Sequence, residues 1–169
     1  MKKTTGLTLL LATLFLMPLA TSPVLAGCGD PPGPGVDWRN CNLSRQEMSK
    51  ADLTKATLWR TSFNRSTLTD ANLSEADANR SMFLETKMAG ATLDGGRFTY
   101  ADFSRADLTG ASLKDANLSR ARFHNAILRE ADLTGADIRD ADFFRADLSG
   151  ALWIDGKKRC GEDSVGACR

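Results

Sequence analysis

The sequence has a single histidine, His124, among 169 residues, and its four cysteines all lie near the two ends. Nucleophilic and general acid–base catalysis commonly use a histidine beside a serine, a cysteine or a carboxylate. His124 directly follows Phe123, whose place in a repeating pattern predicts an inward side chain, so His124 should face solvent. The sequence therefore predicts a protein that is not an enzyme and that needs neither a metal ion nor a cofactor.

Proline is absent from most of the chain, because all five prolines precede Val36. Proline lacks the backbone N–H that stacked β-structure uses for hydrogen bonds. Residues 36–155 are therefore predicted to form one ordered body. A Pro/Gly-rich lead-in and N-terminal cap at 27–35 precedes this body, and a C-terminal cap or tail at 156–169 follows it.

An excess of charge of one sign is also lacking. The chain has 22 basic and 21 acidic side chains, and without the first 26 residues the counts are 20 and 21. Strong electrostatic steering toward nucleic acid or an anionic membrane needs a large net charge. We therefore expect no nucleic-acid partner, and a membrane location only through a lipid anchor.

The one long apolar run lies at the N-terminus. Residues 6–17 follow the basic pair Lys2 and Lys3 and are too few to span a bilayer. A polar break and the small residues around Ala26 come next, as is typical of a cleaved secretory signal peptide. Residues 1–26 are therefore predicted to be a signal peptide and the mature protein to be periplasmic or secreted. An uncleaved membrane anchor is the alternative.

The cysteines form two pairs that are close in sequence, Cys28 with Cys41 and Cys160 with Cys168. An even number of cysteines in an exported protein suggests disulfides, whereas zinc sites usually pair cysteines two to four residues apart. The spacings here are 13 and 8 residues, so we predict one disulfide at each end. Residues 25–28 also resemble the lipobox of bacterial lipoproteins, and an acylated Cys28 would anchor the protein to a membrane and leave three cysteines.

A five-residue period runs without insertion or deletion from Val36 to Asp155. In its 24 units a small residue, alanine in 16 of them, is followed by a polar residue, a large apolar residue and two polar residues. Internal repeats of this kind decide the fold. One inward residue in five matches neither a helix nor a strand. The chain must instead turn a corner after each unit.

Like residues recur at a spacing of 20, which indicates four corners per coil. The three columns that begin at Trp38, Met48 and Leu53 contain one phenylalanine between them, Phe98. The fourth column is mostly aromatic, and we expect its rings to stack on one interior wall, where offset stacking adds to burial. Its phenylalanines are Phe63, Phe83, Phe103, Phe123 and Phe143.

Units such as Ala101-Asp102-Phe103-Ser104-Arg105 and Ala131-Asp132-Leu133-Thr134-Gly135 resemble the pentapeptide repeat family, over 120 of the 169 residues. The resemblance implies an all-β fold, a right-handed quadrilateral β-helix of about six coils of 20 residues. The pattern is weakest near Ala78, where the central residue is itself small, and at Gly96. Phe98 is expected to lean into the space that Ala78 leaves.

Aspartates and glycines occupy repeating positions that favour structural roles. An aspartate such as Asp107 precedes the central residue, where a short acceptor can bond the turn backbone. Gly110, Gly135 and Gly150 fill the corner, as type II turns favour. These residues are therefore interpreted as turn residues, and not as paired acids or a phosphate-binding loop.

Some members of the family mimic DNA and protect DNA gyrase with a strongly acidic rod. Gyrase is cytoplasmic, whereas this chain is predicted to be exported. Its nearly balanced charge also contrasts with a DNA duplex, which carries one negative charge per about 1.7 Å. Both features argue against DNA mimicry here, so it is kept only as an alternative.

Corner residues of two adjacent walls are rich in arginine, while those of the other two are mainly glycine, aspartate and glutamate. Arginine beside exposed aromatic residues is typical of binding surfaces. We therefore predict an exported, non-enzymatic binding or scaffold module for a protein or an anionic glycan. The alternative is a structural rod without a dedicated ligand, in which the arginines pair with aspartates. The predicted binding residues are Arg60, Arg80, Arg105, Arg120, Trp59 and Tyr100.

Overall fold

The structure is a computed structural model that describes residues 27–169. The predicted signal peptide lies outside the described residues. Within residues 27–169 there is no α-helix and no continuous strand; single parallel β-bridges instead join residues 20 apart, from Asp37↔Thr57 to Asp132↔Leu152. No helix in this part of the chain is long and apolar enough to cross a membrane. The 20-residue spacing of like residues is therefore the spacing at which the backbone pairs.

Backbone hydrogen bonds between successive coils hold this register. The Trp38 N–H donates to the Thr57 carbonyl at 2.8 Å, and the Thr57 N–H donates to the Val36 carbonyl at 2.8 Å. The corner N–H of Asn40 donates to the Trp59 carbonyl at 2.9 Å. Because the same bonds recur from one coil to the next, the residues that share a side of the coil form a flat wall. We number the walls by their first central residue: Trp38 (first), Leu43 (second), Met48 (third) and Leu53 (fourth).

The chain turns each corner in the left-handed backbone region. At the first corner the Cys41 N–H donates to the Trp38 carbonyl at 3.1 Å, and Asn40 has a φ of 57°. A positive φ at the third turn residue is the type II pattern, which favours glycine. Gly110, Gly135 and Gly150 follow this rule with φ of 64°, 72° and 71°. Eighteen non-glycine residues between 27 and 169 also have positive φ, although the left-handed region costs L-residues about 1–2 kcal/mol each.

The aromatic column stacks as predicted. Ring centroids of Phe63 and Phe83 are 5.2 Å apart, and those of Phe83 and Phe103 are 4.8 Å apart. The spacing continues at 5.0 Å to Phe123 and 4.9 Å to Phe143, and interplanar angles stay between 3° and 7° along the series. The first four rings are fully buried. The distance between successive coils therefore matches the distance between stacked aromatic rings.

The first residue of each unit, which is small and points inward, can also make a hydrogen bond that the sequence pattern did not reveal. Near the N-terminal end this position holds Thr61, Ser66, Ser81 and Thr86 in place of alanine, and all four are buried. Each hydroxyl donates to the carbonyl of a central residue in the preceding coil, as Ser66 does to Leu43 at 2.7 Å and Thr86 to Phe63 at 2.8 Å. The carbonyls of Trp38, Leu58 and Phe63 also accept the turn hydrogen bond, whereas at Leu43 the Gln46 N–H donates to the Ser66 hydroxyl at 3.1 Å instead. Each hydroxyl therefore has a carbonyl partner and is buried without loss of hydrogen bonding.

Phe98 occupies the irregular part of the first wall. Its ring centroid lies 5.7 Å from Phe103 and 6.2 Å from Phe83, which belongs to the coil of Ala78. The ring therefore extends toward the layer in which the wall residue is small. A Cβ added to Gly96 would meet the same ring at 2.5 Å. Gly96 and Ala78 together provide the volume that Phe98 takes up.

Both ends carry a disulfide with the predicted pairing. Cys28 bonds Cys41 and Cys160 bonds Cys168, with Cα–Cα distances of 5.4 and 4.8 Å. Trp38, in the first coil, is 1% exposed. At the other end the tail adds two antiparallel bridges, Asp147↔Val165 and Leu152↔Arg159. The lead-in and the tail are thus tied to the β-structure that they adjoin.

Phe103→Ala should lower the free energy of unfolding by about 3–5 kcal/mol, because it empties a fully buried ring site between Phe83 and Phe123. Chemical denaturation with the disulfides intact measures this change. Phe144→Ala is the matched control, since Phe144 is 56% exposed and its loss should cost well under that amount. Equal effects of the two substitutions would contradict the stacked core.

Ala78→Leu should destabilise the protein by about 1–3 kcal/mol, because the added atoms compete with the Phe98 ring in a filled layer. Thermal unfolding provides the measurement, and Ala89→Leu, at a half-buried outward position, provides the control. A higher melting temperature for Ala78→Leu than for the parent would show that Phe98 leaves a real cavity.

Candidate interaction surface

The charged side chains of residues 36–155 divide between two sides of the rod. The first and second walls, with the corner residues that follow them, carry 11 basic and 7 acidic side chains. The third and fourth walls carry 5 basic and 11 acidic side chains. We call these the arginine side and the acidic side. The nearly neutral total charge therefore hides a separation of charge across the rod.

From Arg60 to Arg120, the corner that follows the first wall is a continuous column of cationic and aromatic groups. Tyr100 lies between two arginines one coil away on either side: Arg80 has its guanidinium carbon 5.4 Å from the ring centroid and Arg120 has its at 5.3 Å. Arg120 also donates to the Tyr100 hydroxyl and, at 3.4 Å, to Asp140. These contacts raise the pKa of Arg120, the Tyr100 hydroxyl being the main cause. Arg120 is thus oriented by both its neighbours along the column.

Trp59 forms a second aromatic contact on the same wall. The Arg60 guanidinium lies 4.4 Å from the Trp59 ring centroid, and the indole N–H donates to the Asn79 side-chain oxygen at 3.1 Å. A shallow surface groove of about 380 Å³ runs beside it, lined in part by Arg39 and Arg97. A further groove of about 230 Å³ lies beside Tyr100. Both grooves open on the first wall.

Arg105 belongs to a different column, the corner that follows the second wall. Its Nη1 donates to Glu85 at 3.0 Å, and the Nε of Arg65 donates to the other oxygen of the same carboxylate at 2.9 Å. The hydrogen bonds from Arg65 and then Arg105 hold the pKa of Glu85 below its usual range. Arg105 is therefore one of two cations that share one anion.

The six residues predicted to bind a partner thus fall into three groups. Tyr100 contacts both Arg80 and Arg120, Trp59 and Arg60 form a pair one coil before Arg80, and Arg105 lies on the next corner. Sequence reasoning missed the partners that engage these residues. Asn79 bonds Trp59, Glu85 bonds Arg105 and Asp140 bonds Arg120, each at a spacing of 20 residues. Arg65 shares the Glu85 carboxylate with Arg105. Pairing along the 20-residue spacing would have identified Glu85.

Aspartates before the central residue bond the turn backbone, as expected. Asp52 accepts from the Thr54 backbone N–H at 3.0 Å and from its hydroxyl at 2.6 Å. The hydroxyl bond is the larger of the two causes that lower the pKa of Asp52. Asn72 makes the same pair of bonds with Ser74. The unit thus couples its second and fourth residues, a link that the sequence interpretation did not include.

His124 faces outward on the second wall, as predicted, but it is not simply solvated. A ring nitrogen lies 2.6 Å from the Asp142 carboxylate, and the ring meets Phe144 edge-on at 5.8 Å. The bonds with His124 and the Phe144 backbone lower the pKa of Asp142. Among residues 27–169 no group of three or more histidine, cysteine or acidic side chains is arranged to hold a metal ion.

The protein should lose stability in acid between about pH 5 and pH 2, because carboxyl groups with lowered pKa in the fold stabilise it only while ionised. Asp37, Asp52, Glu85 and Asp137 all have lowered pKa values. Their contribution is complete above the pKa of the unfolded chain and is lost as the pH falls through the lowered values. Melting temperatures measured at intervals across this range test the expectation.

Asp52→Asn is the informative variant for this acid transition. An asparagine keeps the acceptor oxygen, as Asn72 does, but it does not titrate. The variant should therefore lose less stability than the parent as the pH falls. A parent melting temperature that is constant from pH 5 to pH 2 would contradict the assignment.

Comparisons with known proteins found one matching family and several similar solved structures. The family model described as pentapeptide repeats matches residues 47–83, 86–125 and 116–152. No curated protein matches the chain. Among solved structures, HetL from the cyanobacterium Nostoc, a pentapeptide repeat protein involved in heterocyst differentiation regulation, is 28% identical with a TM-score of 0.46, and the match covers 73% of this chain and 66% of HetL.

QnrB1, a plasmid-mediated fluoroquinolone resistance protein, is 25% identical with a TM-score of 0.49, over 70% of this chain and 64% of QnrB1. A pentapeptide repeat protein from the Arabidopsis thaliana thylakoid lumen is 26% identical with a TM-score of 0.32, over 76% and 84% of the two chains. The chain thus spans about two thirds of the length of HetL and of QnrB1. Its matched repeats, its 20-residue bridges and its type II corners identify it as a member of the pentapeptide repeat family.

Proposed function

We propose that this protein is an exported, non-enzymatic binding or scaffold module whose arginine side takes an anionic partner, either an acidic protein surface or an anionic glycan. The observation that supports it most is the charge division, with 11 basic and 7 acidic side chains on the arginine side against 5 and 11 on the acidic side. Opposite potentials attract and orient a charged partner. A rigid rod with flat walls suits an extended partner surface.

The proposed organisation is a signal peptide at 1–26, a lead-in at 27–35, a right-handed quadrilateral β-helix of about six coils at 36–155 and a C-terminal cap at 156–169. Export to the periplasm or the exterior is supported by two disulfides in residues 27–169, because disulfides persist in oxidising compartments. The Cys28–Cys41 bond leaves no Cys28 thiol for a lipid thioether. It therefore supports export without a lipid anchor over the lipoprotein alternative.

Two groups of the proposed contact residues are placed best to bind an anion, the column Arg80–Tyr100–Arg120 and the pair Trp59–Arg60. Arg60 and Arg80 stack on aromatic rings, and neither has a carboxylate within ion-pair distance in residues 27–169. Stacking fixes a guanidinium while leaving its N–H donors available. These two arginines can therefore bind an anion without first breaking an ion pair.

The structural-rod alternative is supported by a different observation. Arg105 and Arg65 are both engaged by Glu85, and Arg120 is engaged by Asp140. On this interpretation the arginines neutralise carboxylates of neighbouring coils and keep the rod soluble. The acidic side leaves DNA mimicry as a further alternative, which inhibition of gyrase supercoiling would reveal, although five basic side chains interrupt that surface.

Replacing Arg60, Arg80, Arg105 and Arg120 together by serine should weaken retention on immobilised heparin, a sulfated glycan, and on an acidic protein matrix. Retention of the parent should also fall with rising salt, because exposed charges are screened over about 8–10 Å. Each change should alter the free energy of unfolding by about 0.5 kcal/mol or less, so lost binding would not reflect unfolding. Elution salt concentration is the measurement.

The matched control replaces four cations of the acidic side by serine, namely Lys55, Lys87, Lys114 and Arg129. It has the same net charge as the test variant and should bind as the parent does. Equal weakening by both variants would mean that only net charge matters. Envelope extract provides a second test. If the variant without the four arginines captures every partner that the parent captures, the binding proposal is wrong and the structural-rod alternative stands.

A further inference from the structure

The tail covers only half of the last coil. On the third wall, the Leu148 N–H donates to the Ser164 carbonyl at 2.8 Å and the Gly166 N–H donates to Ala146 at 2.9 Å. On the fourth wall, Trp153 pairs with Lys158 and Cys160 with Ala151, both at 2.8 Å. The tail thus adds antiparallel segments to the exposed edge of two walls, and the Cys160–Cys168 disulfide closes this tail on itself.

The first and second walls of the same coil have no such cover. Within residues 27–169, the backbone N–H groups of Ile138, Asp140, Phe143 and Arg145 have no acceptor, and the carbonyls of Ala136 and Ala141 have no donor. One coil earlier, the equivalent groups are all paired; the Phe123 N–H donates to Asp142 at 2.8 Å, for example. We call residues 136–145 the open edge. It offers the same carbonyl and N–H positions that the tail occupies on the other two walls.

An apolar groove adjoins the open edge. Its volume is about 580 Å³, and it is lined by residues 141–145 together with Val165, Ala167 and Arg169 of the tail. Phe144 and Val165 are 56% and 51% exposed, which makes them the two most exposed large apolar side chains of the described residues. Exposed apolar side chains beside an unpaired β-edge are characteristic of peptide-binding edges.

The charges of the groove favour an acidic segment. Arg145 and Arg169 line it, and Arg145 stacks on the Phe144 ring at 5.1 Å. Its one acidic lining residue, Asp142, already interacts with His124 at 2.6 Å and accepts the Phe144 N–H at 2.9 Å. A bound segment therefore meets two cations that lack a carboxylate partner within residues 27–169, and one anion that is already engaged.

A second copy of this chain fits the open edge poorly. The tail pairs through the residue before the centre, Asp147, opposite Val165. The equivalent residues of the open edge are Asp137 and Asp142, so the same pairing with another open edge would set aspartate opposite aspartate. Like charges directly opposite in an antiparallel pair are destabilising. A different chain that is acidic and apolar meets no such repulsion.

We propose that the open edge binds an extended peptide segment of a partner protein, which pairs antiparallel with Ala141–Arg145. An apolar side chain of the segment contacts Phe144 and Val165, and an acidic side chain lies near Arg145 and Arg169. The main-chain bonds supply affinity and the side chains supply specificity, as in other cases of strand addition. Arg145 is one of the cations of the arginine side, but none of the contact residues proposed there, Arg60, Arg80, Arg105, Arg120, Trp59 and Tyr100, lies in the open edge. The inference therefore does not depend on the proposed function of the arginine side.

The experiment is selection of a random dodecapeptide library displayed on phage against the purified protein with both disulfides formed. Enriched peptides should combine a large apolar residue with nearby glutamate or aspartate. In the free protein the amide hydrogens of Phe143 and Arg145 should exchange quickly, and a bound synthetic copy of an enriched peptide should slow both. Arg145→Glu should raise the dissociation constant of that peptide about tenfold or more.

Arg45→Glu is the matched control, because Arg45 occupies the same corner column at the other end of the rod and has a similar φ of 62° against 57° for Arg145. It should leave the dissociation constant within about twofold of the parent value. Melting curves of both variants establish that they fold. The proposal would be overturned if no peptide were enriched, if peptides bound the two variants equally, or if the amides stayed unprotected on binding. It would also be overturned if sedimentation showed a dimer that protects the same amides.

Discussion

The backbone hydrogen bonds that join residues about one coil apart are the interaction on which the rest of this molecule depends. Thr57, for example, donates to Val36 in the coil before and accepts from Trp38 of that same coil. Within residues 27–169, eighteen non-glycine corners lie in the left-handed region, and sixteen of them also donate an N–H to the next coil, which helps to offset their strain. The absence of proline after residue 34 follows from the same requirement. Local strain is thus accepted wherever it preserves the register.

The register also decides which side chains meet on the surface. Identical charges at a spacing of 20 face each other along the rod, as in the pairs Arg60–Arg80 and Arg45–Arg65, whereas residues of another type separate the other arginines of the same columns. Glu85 stands between Arg65 and Arg105, and Tyr100 separates Arg80 from Arg120. The arginine side is therefore stabilised where an acidic or an aromatic residue lies between two arginines. The same arginines serve the rod internally and remain exposed to a partner, so a structural and a binding role are compatible.

The sequence predicts those features that depend on one residue type repeated at one spacing. The stack from Phe63 to Phe143 and the two disulfides are of this kind, because a like residue every 20 positions or a nearby cysteine leaves few alternatives. Features that depend on unlike residues were missed. The Thr86 hydroxyl that bonds the Phe63 carbonyl and the Glu85 bridge to Arg105 each join two residue types across coils, so no single column displays them.

Surface function was the least predictable part, for a related reason. Composition located the arginine side, but it assigned Arg105 to the same role as Arg80, although one is paired with a carboxylate and the other is stacked on a ring. The open edge at residues 136–145 has no composition signal at all. It exists because residues 156–169 pair with only two of the four walls, which is a property of backbone pairing and not of side-chain pattern.

The corner at every fifth residue has a consequence for how such a chain can grow. Duplication of 20 consecutive residues anywhere in the repeat would add one complete coil and lengthen the rod by about 4.8 Å, leaving each column aligned. Duplication of a single five-residue unit would preserve the local pattern equally well. It would nevertheless turn everything beyond it by a quarter revolution, so the later phenylalanines would leave the aromatic column and the arginine side would be split between walls. Selection on a continuous surface therefore permits length to change only in whole coils.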